Sequence, residues 1–277
     1  MLSSEIKERN GVSFVTFPAF DAFPELVAAN STRLGGVSAE PFSSMNLGFN
    51  RGDREEAVLE NYRRFTGALE IPCDRLVLPK QTHSLNVRRA GNQDAGTGIL
   101  FPVPYSDVDA LITAERNLPL VAYGSDCVPV FFYDRGKEAI GIAHAGWRGT
   151  VGGIVRNVVK EMKEEFGTDP GELLCVIGPS ICGKCFEIGG DVAELFRNAF
   201  PEGEKNGILK RKNAEKWTAD LWLANKEQLL NAGVSESGIV ISGECTMCRP
   251  ELYWSHRATN GVRGSNASMI MLREKES

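Results

Sequence analysis

The sequence predicts a single α+β domain, because short apolar runs typical of buried strands alternate with amphipathic helical segments and no linker separates them. The 277 residues are 42% hydrophobic and 24% charged, the balance of a globular protein with a substantial core. No repeat and no low-complexity segment divides the chain. We therefore expect one domain over residues 1–277.

The middle of the chain carries the clearest pattern of strands followed by a helix. Residues 120–123, 128–133 and 139–143 are short apolar runs separated by turn residues, which predicts three buried strands. Apolar residues then recur at helical spacing over 151–166, and Gly167 follows as a stop signal. We expect a helix to follow the third strand directly.

After residue 167, the apolar patterns that predict strands and helices are shorter and more widely spaced. We predict a strand over 173–177, a helix around 192–196, a helix over 221–232, and late strands over 239–241 and 268–272. Residues 27–55 and 89–106 are rich in Gly, Ser, Asn and Pro, so we expect long ordered loops there. Loops of this length often carry function.

Charge and cysteine content narrow the function classes. The formal net charge of -5 is modest and spread along the chain, which favours neither a nucleic-acid nor a membrane partner. The N-terminus is too polar for a secretory signal, and no stretch reaches the roughly 20 apolar residues that span a bilayer. Seven cysteines are an odd count in a chain that needs no disulfides, so we expect a cytoplasmic protein with reduced thiols.

The candidate active residues are His83, Cys127 and His144, which all lie at the ends of apolar runs. Two imidazoles and one thiolate suit zinc and leave a fourth position open, as a catalytic site requires; copper also accepts these ligands. The alternative is two core histidines and a small buried cysteine, and the spacing alone favours neither.

Arg148 favours the metal hypothesis, because it is expected in the first turn of the helix, where backbone amides and the helix dipole attract an anion. Gly146 and Gly149 would let a ligand approach the backbone closely. These residues predict a phosphate-sized anion site beside the metal. The alternative for Arg148 is an ordinary surface ion pair.

Several motifs carry a resemblance to a known family. They are Thr32-Arg33-Leu34-Gly35-Gly36-Val37-Ser38, Phe42-Ser43-Ser44-Met45-Asn46-Leu47-Gly48, Gln81-Thr82-His83, Asp126-Cys127-Val128-Pro129-Val130, His144-Ala145-Gly146-Trp147-Arg148-Gly149, Ile177-Gly178-Pro179-Ser180-Ile181 and Cys245-Thr246-Met247-Cys248. In this order they resemble the YfiH, or laccase-domain, family, once described as multicopper polyphenol oxidases. The resemblance extends over residues 30–273.

The resemblance implies a layered α/β/β/α-type sandwich with mixed β-sheets. It also implies a zinc-dependent purine nucleoside phosphorylase that acts on adenosine, inosine and S-methyl-5′-thioadenosine and also has adenosine deaminase activity. The family's metal ligands correspond to His83, Cys127 and His144, and we expect catalysis to involve Cys127, His144 and Arg148. Purine nucleosides and phosphate are then the expected small-molecule partners.

Substrate contacts are predicted at four positions. Arg148, helped by Arg33, would hold phosphate, and Asn46 and Gln81 would hydrogen-bond the sugar or the base. Either amide could instead stabilise a turn.

Other interpretations remain open. A polyphenol oxidase could hold one copper at most, because three histidines cannot build a multicopper cluster. A cysteine hydrolase would use Cys127 as nucleophile and His144 as base, oriented by an aspartate such as Asp107, Asp109 or Asp126. A structural zinc or a redox pair is a further possibility for the two Cys-x-x-Cys pairs, Cys182/Cys185 and Cys245/Cys248; we favour ordinary thiols, since 59 residues separate the pairs.

Overall fold

The computed structural model describes residues 3–275, and its central feature is a pair of β-sheets packed face to face. The first sheet is antiparallel, with five strands in the order β1, β2, β3, β14, β6. Its strands are β1 (Glu5–Arg9), β2 (Val12–Thr16), β3 (Leu26–Ser31), β6 (Leu120–Gly124) and β14 (Asn266–Leu272).

The second sheet is mixed and has six strands in the order β13, β9, β7, β8, β5, β4. Its strands are β4 (Val87–Arg89), β5 (Ala110–Thr113), β7 (Val128–Asp134), β8 (Ala139–Ala145), β9 (Leu174–Ile177) and β13 (Ile239–Ile241). The two outermost pairs, β13 with β9 and β4 with β5, are parallel, whereas the central pairs are antiparallel.

Helices and a small third sheet complete the fold. The third sheet contains β10 (Glu187–Gly189), β11 (Leu209–Arg211) and β12 (Lys216–Ala219). The helices are α1 (Glu55–Leu69), α2 (Trp147–Gly152), α3 (Ile154–Phe166), α4 (Gly190–Ala199) and α5 (Leu221–Asn231). Within residues 3–275, none of them is both long and apolar enough to cross a membrane.

Three apolar layers hold these elements in the order helix, sheet, sheet, helix. Along β7, Phe131 and Tyr133 point between the sheets, while Val130 and Phe132 point towards α3. Successive residues of a strand face opposite sides, so a strand buried on both faces is apolar throughout. On the far side, α1 covers the first sheet. The structure thus confirms the single α+β domain and its α/β/β/α layering.

Most of the predicted elements are present, and three predictions need correction. Residues 27–31 belong to β3 and are not part of a loop. Arg89 closes β4, and residues 92–94 form a short 3-10 turn, so the predicted loop over 89–106 is not wholly irregular. The single helix predicted after β8 is two helices, because Gly153 has a φ of 92° that ends α2 before α3 begins.

Candidate metal centre

The three predicted ligands come together where the two sheets meet. Cys127 lies in the tight turn between β6 and β7, and His144 is the penultimate residue of β8. His83 lies in the irregular segment before β4, after a buried apolar run that makes a single bridge to β6 at Val77. The ligand atoms of these three side chains all lie within 4.8 Å of one another. This group could hold a metal ion.

One buried carboxylate organises both histidines. The Asp109 side chain accepts hydrogen bonds from the backbone N–H groups of Thr82 (3.0 Å), His83 (3.1 Å) and Ser84 (2.7 Å), and from the Ser84 hydroxyl (2.8 Å). These donors form a nest that fixes the backbone of His83, whose φ is 64°. The same carboxylate lies 2.8 Å from Nδ1 of His144.

This contact also decides which nitrogen of His144 faces the site. With Nδ1 donating to Asp109, Nε2 is left to bind a ligand or a metal ion. Carboxylate–histidine pairs of this kind orient the ring and raise its basicity at metal centres. Asp109 appeared in the sequence only as one of three possible partners for the histidine, and the structure selects it.

The electrostatics of the group reflect burial and close charges. Burial lowers the pKa of His83, and the adjacent His144 lowers it further, which favours the neutral imidazole that metals require. Burial also lowers the pKa of His144, but Cys127 and Asp109 outweigh it and raise the value to about 9. Burial raises the pKa of Asp109, yet hydrogen bonds from His144 and Thr82 bring it down to about 2.

The backbone beside the three side chains leaves space that a larger residue would fill. A Cβ atom on Gly146 would lie 2.5 Å from Nδ1 of His83 and 3.1 Å from Sγ of Cys127. Gly146 directly precedes α2, so glycine at this position lets the helix start approach the ligands. The donor set and the space fit a small metal ion with nitrogen and sulfur ligands.

Arg148 is the second residue of α2 and is exposed to solvent. Its exposed guanidinium is 4.2 Å from the centre of the Trp147 ring, and no ion pair to it is found among residues 3–275. Because α2 has six residues, its dipole is small. The case for an anion site therefore rests on the Arg148 side chain more than on the helix.

The other predicted substrate residues are engaged with the protein itself. The Arg33 guanidinium donates to the backbone oxygens of Ser43 and Pro250 and lies 3.9 Å from the Trp254 ring centre. The Gln81 amide bonds both the N–H and the carbonyl of Tyr123.

Asn46 is fully buried and satisfied by its surroundings. Its amide donates to Asp53 at 2.9 Å, and its oxygen accepts from the N–H groups of Gly48 and Ser265 at 2.9 Å. For Asn46, as for Gln81, these contacts favour the turn-stabilising interpretation over a substrate contact.

Two charged residues lie near Cys127, of which the sequence offered Asp126 only as a possible orienting aspartate and did not indicate Arg263 at all. Asp126, with a φ of 86°, accepts from the Thr246 hydroxyl at 2.6 Å and from the N–H of Arg257 at 2.7 Å. Arg263 is half-buried, and its Nε has no hydrogen-bond partner within residues 3–275; burial, together with repulsion from Arg51, lowers its pKa to about 10. In the sequence, the only feature that could have drawn attention to Arg263 is the glycine that follows it.

The fold and this group define a four-layer α+β protein with a candidate metal centre of two histidines and one cysteine. The chain belongs to the family described as multi-copper polyphenol oxidoreductase laccase, whose model matches residues 27–273. This confirms the resemblance to the YfiH, or laccase-domain, family.

Characterised relatives and solved structures agree with this membership. The chain is 34% identical over 251 residues to purine nucleoside phosphorylase YlmD of Bacillus subtilis, with 90% of each chain covered. It is 36% identical to adenosine deaminase RL5 of an unknown prokaryotic organism, covering 84% of this chain and 89% of that one. The crystal structure of YlmD from Geobacillus stearothermophilus aligns with a TM-score of 0.90 and 32% identity, over 97% of this chain and 99% of the other.

Proposed function

We propose that this chain is a zinc-dependent purine nucleoside phosphorylase. It would cleave adenosine, inosine and S-methyl-5′-thioadenosine with phosphate and would also deaminate adenosine. The observation that carries the proposal is the convergence of His83, Cys127 and His144, together with Arg148, which has no ion-pair partner in the described part of the chain. The names of the relatives supply the substrate class, since they include both a purine nucleoside phosphorylase and an adenosine deaminase.

The three converging side chains are the proposed zinc ligands. Two imidazole nitrogens and one thiolate leave a fourth tetrahedral position for a substrate group or water. When bound, zinc supplies a Lewis acid that polarises a substrate atom or activates water. Asp109 keeps the Nδ1 proton on His144 and fixes the backbone of His83, so the His144 ring and the segment that carries His83 are held before substrate arrives.

The nucleoside would bind on the open side of the group. The cavity behind Cys127 and His144 has a volume of about 10 Å³, which admits about one water molecule. His83 and Arg148 are both exposed to solvent. Arg148 would donate charge-assisted hydrogen bonds to phosphate there and hold it for attack on the sugar carbon.

A copper oxidase fits these residues less well. The sequence has three histidines, and only two of them belong to the converging group. A multicopper cluster draws on many imidazoles, so the chain could supply one copper site at most.

A cysteine hydrolase is the second candidate, because one observation favours it. The His144 ring lies 2.8 Å from Asp109, and its ligand atom lies within 4.8 Å of Sγ of Cys127, the order in which nucleophile, base and orienting acid occur in hydrolases. His83 favours the zinc enzyme. A catalytic triad does not require a second imidazole, yet the ligand atom of His83 lies within 4.8 Å of those of Cys127 and His144.

Metal analysis of His144→Ala beside the wild type tests the choice between them. We expect the variant to contain one zinc fewer per chain and to lose turnover of adenosine. Equal zinc in the two proteins, or full activity in wild type stripped of zinc, would refute the zinc enzyme and favour the hydrolase.

A further inference from the structure

Two Cys-x-x-Cys segments that are far apart in the chain meet at one edge of the second sheet. Strands β9 and β13 pair in parallel, with Ile177 opposite Ile241. The pairing continues beyond both strands. The N–H of Ser180 donates to the backbone carbonyl of Glu244 at 3.0 Å, and the N–H of Thr246 donates to the backbone carbonyl of Ser180 at 3.1 Å. Parallel neighbours leave a sheet at the same edge, so the 59 residues between the pairs do not keep them apart.

The four sulfur atoms have the spacing of a metal site. The Sγ atoms of Cys182, Cys185, Cys245 and Cys248 all lie within 4.8 Å of one another. A tetrahedral ion with Zn–S distances of about 2.3 Å would place its sulfurs about 3.8 Å apart. Cys185 and Cys248 are 3.4 Å apart, far beyond the S–S distance of about 2.05 Å in a disulfide.

The surrounding backbone is arranged to favour thiolates. Each pair encloses a turn, over residues 183–185 in one case and 246–248 in the other. Sγ of Cys245 accepts from the backbone N–H groups of Cys182 at 3.3 Å and Cys248 at 3.4 Å. Such donors stabilise negative charge on a sulfur. Cys245 is 6% exposed, whereas Cys248 is exposed, so an ion can enter from solvent.

We propose that Cys182, Cys185, Cys245 and Cys248 bind a structural zinc ion through four thiolates. This site is separate from the centre at His83, Cys127 and His144, and it has no open position for substrate. Zinc fits because four cysteines in two Cys-x-x-Cys turns form a closed tetrahedral shell. The favoured interpretation from the sequence, ordinary thiols, does not account for four sulfurs in one cluster.

The zinc would stabilise the backbone on which the first centre depends. Ile181, beside one pair, donates its N–H to the Asp126 carbonyl at 3.0 Å. Thr246, inside the other pair, donates its hydroxyl to the Asp126 carboxylate at 2.6 Å. Asp126 precedes Cys127, so both segments joined by the zinc hold the turn that carries this residue.

The first test uses His83→Ala/His144→Ala, in which the first centre lacks two ligands. Purified without added metal, this variant should retain one zinc per chain, and X-ray absorption should show only sulfur neighbours at about 2.3 Å. A folded variant without zinc, one with iron in its place, or one with nitrogen neighbours at about 2.0–2.1 Å would overturn the proposal. The result does not depend on whether the chain is a phosphorylase.

The second test compares Cys248→Ser with Cys73→Ser in the otherwise unchanged protein. Cys248 is exposed, so serine leaves no cavity, and the half-buried Cys73 is outside the cluster. Cys248→Ser should weaken zinc retention against a chelator by more than about 100-fold and lower Tm, whereas Cys73→Ser should retain the zinc. Equal retention by both variants, or a wild-type mass two hydrogens below the fully reduced value, would contradict a four-thiolate site.

Discussion

At the scale of single residues, the site depends on Asp109 as much as on its three ligands. Sequence patterns predicted His83, Cys127 and His144, since their residue types suit a metal. They could not select Asp109 from the neighbouring aspartates, because its role comes from burial and from five donors brought to it by the fold. A carboxylate placed this way supports both histidines.

Replacing this carboxylate should weaken metal binding. In Asp109→Asn an amide faces the N–H groups of residues 82–84, so the orientation of both rings is disturbed. We expect zinc affinity of the first centre to fall by about 10- to 100-fold, measured by competition with a chelator. Asp107→Asn, two residues away, is the control and should bind zinc normally. An unchanged affinity in Asp109→Asn would show that the carboxylate has no supporting role.

Replacing Arg148 should weaken phosphate binding, whereas replacing Arg33 should lower stability. Arg148→Gln removes an exposed charge that forms no ion pair among the described residues, so we expect the KM for phosphate to rise by roughly 10- to 100-fold with little change in Tm. Arg33→Gln removes contacts to the carbonyls of Ser43 and Pro250, so it should lower Tm and leave that KM unchanged. Steady-state kinetics with varied phosphate separate them, and the opposite pattern would move the phosphate site to Arg33.

At the scale of elements, the approach of α2 to the ligands is the critical feature. The sequence predicted a helix after β8 but not its interruption at Gly153, because a glycine within an apolar helical pattern gives no sign of a positive φ. It also missed β3, whose Ala28 and Ala29 have low strand preference and whose Asn30 is buried through a hydrogen bond with Ser268. Those features depend on partners distant in the chain.

A methyl group at the start of α2 should disrupt the site without unfolding the protein. In Gly146→Ala the new Cβ would meet Nδ1 of His83 at 2.5 Å, so we expect loss of one zinc and of activity. Gly190→Ala, at the start of α4, is the control, since within residues 3–275 a Cβ there meets no atom within 4 Å outside its chain neighbours and the helix's own backbone. Circular dichroism should be native for both. Full zinc content and activity in Gly146→Ala would contradict the proposed position of the ligands.

At the scale of the whole molecule, the layer between the two sheets sets the geometry that the site requires. His144 and Cys127 belong to the second sheet and its turns, whereas the Ser268 and Asn266 side chains that line the same small cavity belong to the first. The central strands were predictable because burial on both faces makes them apolar throughout. The sheet that each strand joins was not predictable from the sequence, since strand pairing depends on contacts between segments that are far apart in the chain.

Loss of a large side chain from this layer should destabilise the whole domain. Phe131 is fully buried and its ring centre lies 5.0 Å from that of Phe17, so Phe131→Ala should lower the free energy of unfolding by about 3–5 kcal/mol. Phe101 is 43% exposed, and Phe101→Ala should change the free energy of unfolding by less than about 0.5 kcal/mol. Denaturant unfolding of both variants measures the difference, and equal midpoints would show that the layer between the sheets is not the main core.

Turnover of adenosine by the zinc-loaded protein, with and without phosphate, is the decisive measurement for the proposed purine nucleoside chemistry. With phosphate, the wild type should release ribose 1-phosphate in an amount equal to the sum of the free bases, adenine from adenosine and hypoxanthine from inosine; deamination to inosine should occur whether or not phosphate is present. The His144→Ala variant should form none of these products. No turnover by the zinc-loaded wild type, or unchanged turnover by His144→Ala, would contradict the assignment of this centre to purine nucleoside chemistry.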